Sequence, residues 1–326
     1  MTMIYKNIKV PTGNILITEG EKGKLECLSI GDYGKEANIK ADFLGLSNEI
    51  NGVQTNEIMP LTEKWVITIS TQYGCSMNCK FCDVPKVGAG KNATLSDLTS
   101  QVSRCLELHP EIDATKRLNV HYARMGEPTF NYNVLLHAGS LQKEIRTHIG
   151  RSLVHPVVST MLPKSNKHLM EFLQDWCDIK NSQYRGDAGL QFSINSTDDV
   201  QRNDLFSGNS LSLAEIAEIG RLLPDPVGRK YALNFALAND TIIDGGILRN
   251  LFSPEKFMCK ITPIHETFTS KENKIITSDG YDSYYPYKDA ENSLKDAGFD
   301  VLVFIPSKDE DESRITCGNA ILSDET

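Results

Sequence analysis

The run Val66-Ile-Thr-Ile-Ser70 leads directly into Tyr73-Gly-Cys-Ser-Met-Asn-Cys-Lys-Phe-Cys-Asp-Val84, and these two stretches decide how the rest of the chain is read. The first is a short apolar strand candidate. The second carries Cys75, Cys79 and Cys82 in a C-x3-C-x2-C arrangement. Three thiolates this close on one loop can hold three irons of a [4Fe–4S] cluster and leave the fourth iron without a protein ligand. A structural zinc site would want a fourth Cys or His nearby, and the next after Cys82 is Cys105. An open iron is what a cluster needs if it is to bind and reduce a small molecule.

With 326 residues the chain can bury one large core, or a core with a small appendage. Its 40% hydrophobic and 24% charged residues are ordinary for a globular protein. No apolar run approaches the roughly 18 residues of a membrane span, and MTMIYKNIKV at the N-terminus lacks the apolar core of a signal peptide. Eight cysteines spread over so long a chain argue against a disulfide framework, so the expected compartment is the cytoplasm, with no membrane partner. The formal net charge of −9 counts against a large electrostatic nucleic-acid footprint, although it leaves room for a local basic surface.

Residues 1–63 consist of short alternating runs broken by Gly, and are read as a β-rich N-terminal accessory region ending in a linker near residues 48–60. From Trp65 onward the rhythm becomes strand, loop, helix. Strand candidates at 66–70, 118–123, 153–160, 190–195, 230–237, 257–264 and 300–306 alternate with helices expected near 94–108, 132–148, 167–178, 211–223, 247–252 and 289–297. That alternation predicts an α/β fold with a parallel sheet, and residues 64–326 form its core. The cysteine loop, Met125-Gly-Glu-Pro128, Ser159, Ser193 and Asn195 fall at or just past strand C-termini, where α/β barrels place their sites. In Met125–Pro128, Gly126 lets the backbone approach a ligand and Glu127 can accept hydrogen bonds from an ammonium. The acidic run Asp309–Glu312 reads as a solvated turn.

With Phe81 between the second and third cysteines, the loop closely resembles that of the radical SAM superfamily. Further features in order sharpen the resemblance to the RlmN/Cfr family of radical SAM RNA methyltransferases. They are STQYGCSMNCKFC (70–82), ARMGEPTFN (123–131), VVST (157–160), FSINSTDDVQRNDLF (192–206), CKITPIH (259–265) and RITCGNA (314–320). The resemblance covers roughly residues 65–322. It implies a partial (β/α)6 TIM-type barrel, with the N-terminal β-rich region as an appendage, and S-adenosyl-L-methionine (SAM) bound at Phe81, Gly126, Glu127, Ser159, Ser193, Asn195 and Asn239. The implied electron donor is a flavodoxin or ferredoxin, and the implied substrate is an adenine carbon of RNA. Cys317 would take a methyl group from one SAM, while a second supplies the radical that lets this carbon add to the base. A carbon radical is needed because an aromatic amidine carbon is not nucleophilic.

Three departures from the family pattern stand out. Thr68 occupies the position of the family's resolving cysteine, leaving Cys27, Cys105, Cys177 and Cys259 as the remaining thiols. The family's glutamate base falls at Val53-Gln54-Thr55, so Glu57 is the nearest acidic candidate. A family SAM-binding Asn aligns with Ile243, with Asn239 as its substitute. Residues 1–63 also differ from the family's helical RNA-binding extension. Lys86, Lys91, Arg117, Arg124, Arg151, Arg229 and Lys230 could line an RNA-facing mouth. The alternative to RNA methylation is a divergent enzyme of the same family acting on a peptide, nucleotide or other small molecule.

Overall fold

The computed structural model describes residues 3–54, 57–277, 280–315 and 320–324. Its strands are β1 Met3–Val10, β2 Gly13–Gly20, β3 Gly23–Ile30, β4 Ile39–Lys40, β5 Trp65–Ile69, β6 Gln72–Gly74, β7 Ala89–Asn92, β8 Ala114–Tyr122, β9 Arg151–Thr160, β10 Gly189–Ser193, β11 Tyr231–Leu237, β12 Phe257–Pro263 and β13 Val301–Phe304. Eleven of them form one sheet in the order β1-β2-β3-β5-β8-β9-β10-β11-β12-β13-β4. From β5 to β13 every neighbour is parallel, with helices in the crossovers. This is a mixed α/β fold with a large parallel sheet.

The N-terminal region is strand-rich, as its Gly-broken runs predict, and it continues the main sheet directly. β3 pairs antiparallel with β5 through Leu28↔Thr68 and Ile30↔Val66. The predicted helices are present at Leu95–Glu107, Asn133–Arg146, Leu169–Asp178, Leu213–Leu222, Gly245–Leu251 and Lys288–Asp296. Thr94 caps the first through a reciprocal box with Asp97, satisfying backbone donors that the first turn leaves open. Asp309–Glu312 is a correction to the sequence reading. Those residues lie in a short helix, Lys308–Glu312, capped by Ser307, and Glu310 is buried.

The two faces of the sheet differ in chemistry. Ile67, Ile69, Val120, Phe192, Leu233 and Ile261 are buried, and burial of each such side chain contributes about 1.5–3 kcal/mol. Alternating with them, Thr68, His121, Ser159, Gln191, Asn234 and Lys260 are half-buried. Period-2 alternation thus assigns one face to the core and leaves the other polar.

Candidate active site

The cysteine loop leaves the C-terminal end of β5 and is closed at its root by the β6–β7 hairpin, with Gln72 opposite Asn92 and Tyr73 opposite Lys91. Gly74 is required there: its φ is 79°, and a Cβ would lie 2.0 Å from the Gly88 carbonyl oxygen. The Cys75 amide donates to that same carbonyl at 3.0 Å, and the Cys82 amide donates to the Cys79 carbonyl at 3.1 Å. Residues 205–209 brace the other side. Lys80 N–H donates to the Leu205 carbonyl, Ser207 Oγ to that of Asn78, and Asn209 Nδ2 to that of Met77.

All three thiols are half-buried and unbridged. Cys75 and Cys79 border a small apolar cluster of Met77, Met161 and Phe206, joined by Phe81 and Phe130. Phe81 meets Phe206 edge-on at 5.8 Å between ring centres, and Cys79 Sγ lies 3.5 Å from Met161 Sδ. Burial pushes the Cys75 thiol up to about 11. No group of three metal-binding side chains among the described residues converges on one point.

The Met125–Pro128 turn sits beside the root of this loop. Thr71 and Gln72 amides both donate to the Met125 carbonyl, and the Glu127 amide donates to Gln72 Oε1 at 2.9 Å. Gly126 has φ 94°, and a Cβ would stand 2.5 Å from Gln72 Cβ, so only glycine fits. The Glu127 carboxylate, expected to meet an ammonium, also has partners within the chain. It is 3% exposed, accepts from the Thr129 amide and hydroxyl and from the Met161 amide, and so staples this turn to the segment after β9. Burial pushes its carboxyl upward.

The remaining expected residues are spread along the same strand ends. Ser159 Oγ donates to Gln191 Oε1 at 3.0 Å on the polar face. Ser193 is half-buried and its carbonyl accepts from Arg202. Asn195 is buried at φ 60°, and its Oδ1 accepts from the Ala236 amide. Asn239 is exposed just beyond β11, its amide donating to Ile276. Glu57 is exposed, and its carboxylate has no hydrogen-bond or ion-pair partner among the described residues. Cys317 lies outside the described residues. Cys27, Cys105, Cys177 and Cys259 are all buried, and burial raises the last three thiols, so none is an accessible thiolate in place of Thr68.

The basic mouth needs correction. Arg124 is 6% exposed and paired with buried Glu26. Arg117, Arg229 and Lys230 lie at strand N-terminal ends, away from the cysteine loop. Sequence reading missed Gln72, Asn131, Met161 and Phe206 as supports of the site. Asn131 Nδ2 donates to the carbonyls of Thr71 and Ala93, tying β8's exit to the loop's root. Three of the four lie inside the stretches 70–82, 123–131 and 192–206, which was their only signal.

Comparison with known proteins adds the lineage. No family model matches the chain. A probable dual-specificity RNA methyltransferase RlmN of Heliobacterium modesticaldum is 25% identical over 209 residues, 62% of this chain and 51% of that protein. The dual-specificity RNA methyltransferase RlmN of an Anaeromyxobacter species is 28% identical over 202 residues, 59% and 50% of the two chains. This chain is similar in sequence to RlmN proteins. It spans about half the length of the RlmN relatives it matches. In fold it is similar to a radical SAM methyltransferase from Sphaerobacter thermophilus, with a TM-score of 0.59 at 15% identity, covering 95% of this chain and 78% of that one. No helix among the described residues is long and apolar enough to cross a membrane.

Proposed function

We propose that this chain is an RlmN-like radical SAM enzyme that methylates an adenine carbon of RNA. The observation that carries the reading is three half-buried thiols on one loop after β5, beside a glycine-dependent turn after β8. Parallel strands β5 and β8–β12 with their crossovers would make up the partial (β/α)6 barrel, with residues 1–63 accessory to a 64–326 core.

Cys75, Cys79 and Cys82 would hold a [4Fe–4S] cluster, which when bound supplies the electron that cleaves SAM, itself drawn from a flavodoxin or ferredoxin in the cytoplasm. The donor set and its surroundings fit this group: soft thiolates with Met and Phe side chains around them. Gly126 would let the Met125–Pro128 backbone meet SAM, and Ser159, Ser193, Asn195 and Asn239 would line its polar side. As methyl carrier, the Cys317 thiolate would attack the SAM methyl. An S–CH3 bond forms, the sulfonium C–S bond breaks, and S-adenosylhomocysteine leaves.

A second reading keeps the same cofactors with a peptide, nucleotide or other small molecule as substrate. The distribution of cations favours it: Arg124 is buried, and Lys35 is lowered by its own burial and by repulsion from Arg117 and Arg229, away from the loop. The test is anaerobic turnover with reductant, methyl-labelled SAM and bulk RNA, followed by digestion to nucleosides. Label in a carbon-methylated adenosine is expected. Formation of 5′-deoxyadenosine with no labelled nucleoside would sink the RNA reading and leave the small-substrate one.

A further inference from the structure

On the polar face of the parallel sheet several hydrogen-bonding groups lack a partner. Ser159 Oγ and Asn234 Nδ2 both donate to Gln191 Oε1, at 3.0 and 2.7 Å. Asn234 Oδ1 is buried and has no hydrogen bond among the described residues. The same holds for Nε2 of His121, opposite Thr68 in the register, and for Nε2 of His155, opposite Asn119. Lys260 stands beside Asn234 on β12. Its ammonium lies 5.0 Å from the centre of the Phe304 ring and makes no hydrogen bond or ion pair among the described residues. Buried polar atoms are rarely left unpaired, so several on one face point to a ligand.

The charge around them is of one sign. Burial first, then repulsion from Lys260, Lys64, Arg229 and Arg117, holds His121 neutral, down at about 3. Burial, then Lys64, lowers Lys260 to about 8. The nearby carboxylates are already engaged, Asp32 with Lys64, Asp187 with His155 and Asp300 with Lys230. Arg117 bonds Asn119 Oδ1 at 3.0 Å, and exposed Arg229 has no ion pair among the described residues. In a chain of net charge −9, this local excess of cations favours an anion. Guanidinium and ammonium together match the several oxygens of a phosphate. Asn234 Oδ1 is an acceptor, and so is neutral His155 at Nε2, because its Nδ1 faces the Asp187 carboxylate at 2.9 Å. They call for hydroxyl donors beside the phosphate. His121, Asn234 and Lys260 are half-buried within strands, a setting that suits a small molecule better than a polynucleotide backbone.

We infer that this face of the sheet binds a small phosphate ester bearing hydroxyl groups, with Lys260, Arg117 and Arg229 as phosphate donors. The inference goes beyond the methylation reading and needs neither the cluster nor Cys317, so the two fail separately.

The full chain is titrated by calorimetry at low salt with glycerol phosphate, inorganic phosphate and glycerol. Glycerol phosphate is expected to bind, inorganic phosphate to bind more weakly and glycerol not to bind. Lys260→Met removes the ammonium and keeps an unbranched chain, and should weaken glycerol phosphate about tenfold. Arg229→Gln, at an exposed position, should weaken it about threefold. Lys288→Met removes the same charge from the surface helix 288–296 and should leave affinity unchanged. No binding of glycerol phosphate to wild type overturns the inference. So does equal weakening by Lys260→Met and Lys288→Met, which would reduce the attraction to net charge. Displacement of glycerol phosphate by bulk RNA would assign these cations to RNA and overturn the small-ligand reading. If Lys260→Met does not fold, Arg229→Gln decides, and unchanged affinity there overturns the inference.

Discussion

The cysteine loop and the C-terminal segment are held in different ways. The loop's root is closed by its own neighbours, with Gly74 against Gly88 and β6 against β7, while its far side rests on an apolar cluster and on residues 205–209. The segment is tied by two buried charges, Arg124 lying 190 residues before Arg314 and Glu26 lying 295 residues before Ile321. Local closure shapes the root of the loop. Long-range bonds tie Arg314, Ile315 and Ile321 to β3 and to the residue after β8.

If the loop is a cluster holder, the largest effect follows from removing a thiol. Cys79→Ala is expected to lose bound iron and sulfide together with all SAM cleavage, while circular dichroism stays that of wild type. Retention of a full iron complement would break the comparison at its first half.

Next in size is the loop's apolar support. Phe206 is 1% exposed against Met77 and Phe81, and Phe206→Ala is expected to cost about 3–5 kcal/mol in denaturant unfolding. A cost well below 1 kcal/mol would show that residues 205–209 hold the loop through their backbone bonds alone.

The smallest effect concerns Glu310, just before the C-terminal segment. Burial first, then nearness to Asp32, pushes its carboxyl from 4.5 up to about 7. Between those values the folded state holds a proton that the unfolded state lacks. The group therefore adds stability that is present below about 4.5 and is lost as pH rises through 7, up to about 3 kcal/mol. Glu310→Gln should flatten that part of the pH–stability curve, and an unchanged slope would remove Glu310 from the account.

This contrast also explains what was legible in the sequence. The thiol spacing, the strand leading into it, the Met125–Pro128 turn and most helices were readable because each is a local pattern. That Thr129 and Met161 also donate to the Glu127 carboxylate was not legible in its local motif. Arg124 was placed at an RNA-facing mouth because its partner Glu26 is 98 residues away. Arg117 and Arg229 were read as mouth residues for being near strand ends, and they lie at the starts of those strands. Charge in a sequence gives no hint of burial or of which end of the sheet it faces.

The most direct measurement of the central claim is peptide mass spectrometry of Cys317 in wild-type protein expressed with ample iron and incubated with SAM. The account predicts an S-methyl group on Cys317 and on no other cysteine. An unmodified Cys317 in protein that holds its cluster and cleaves SAM would contradict it.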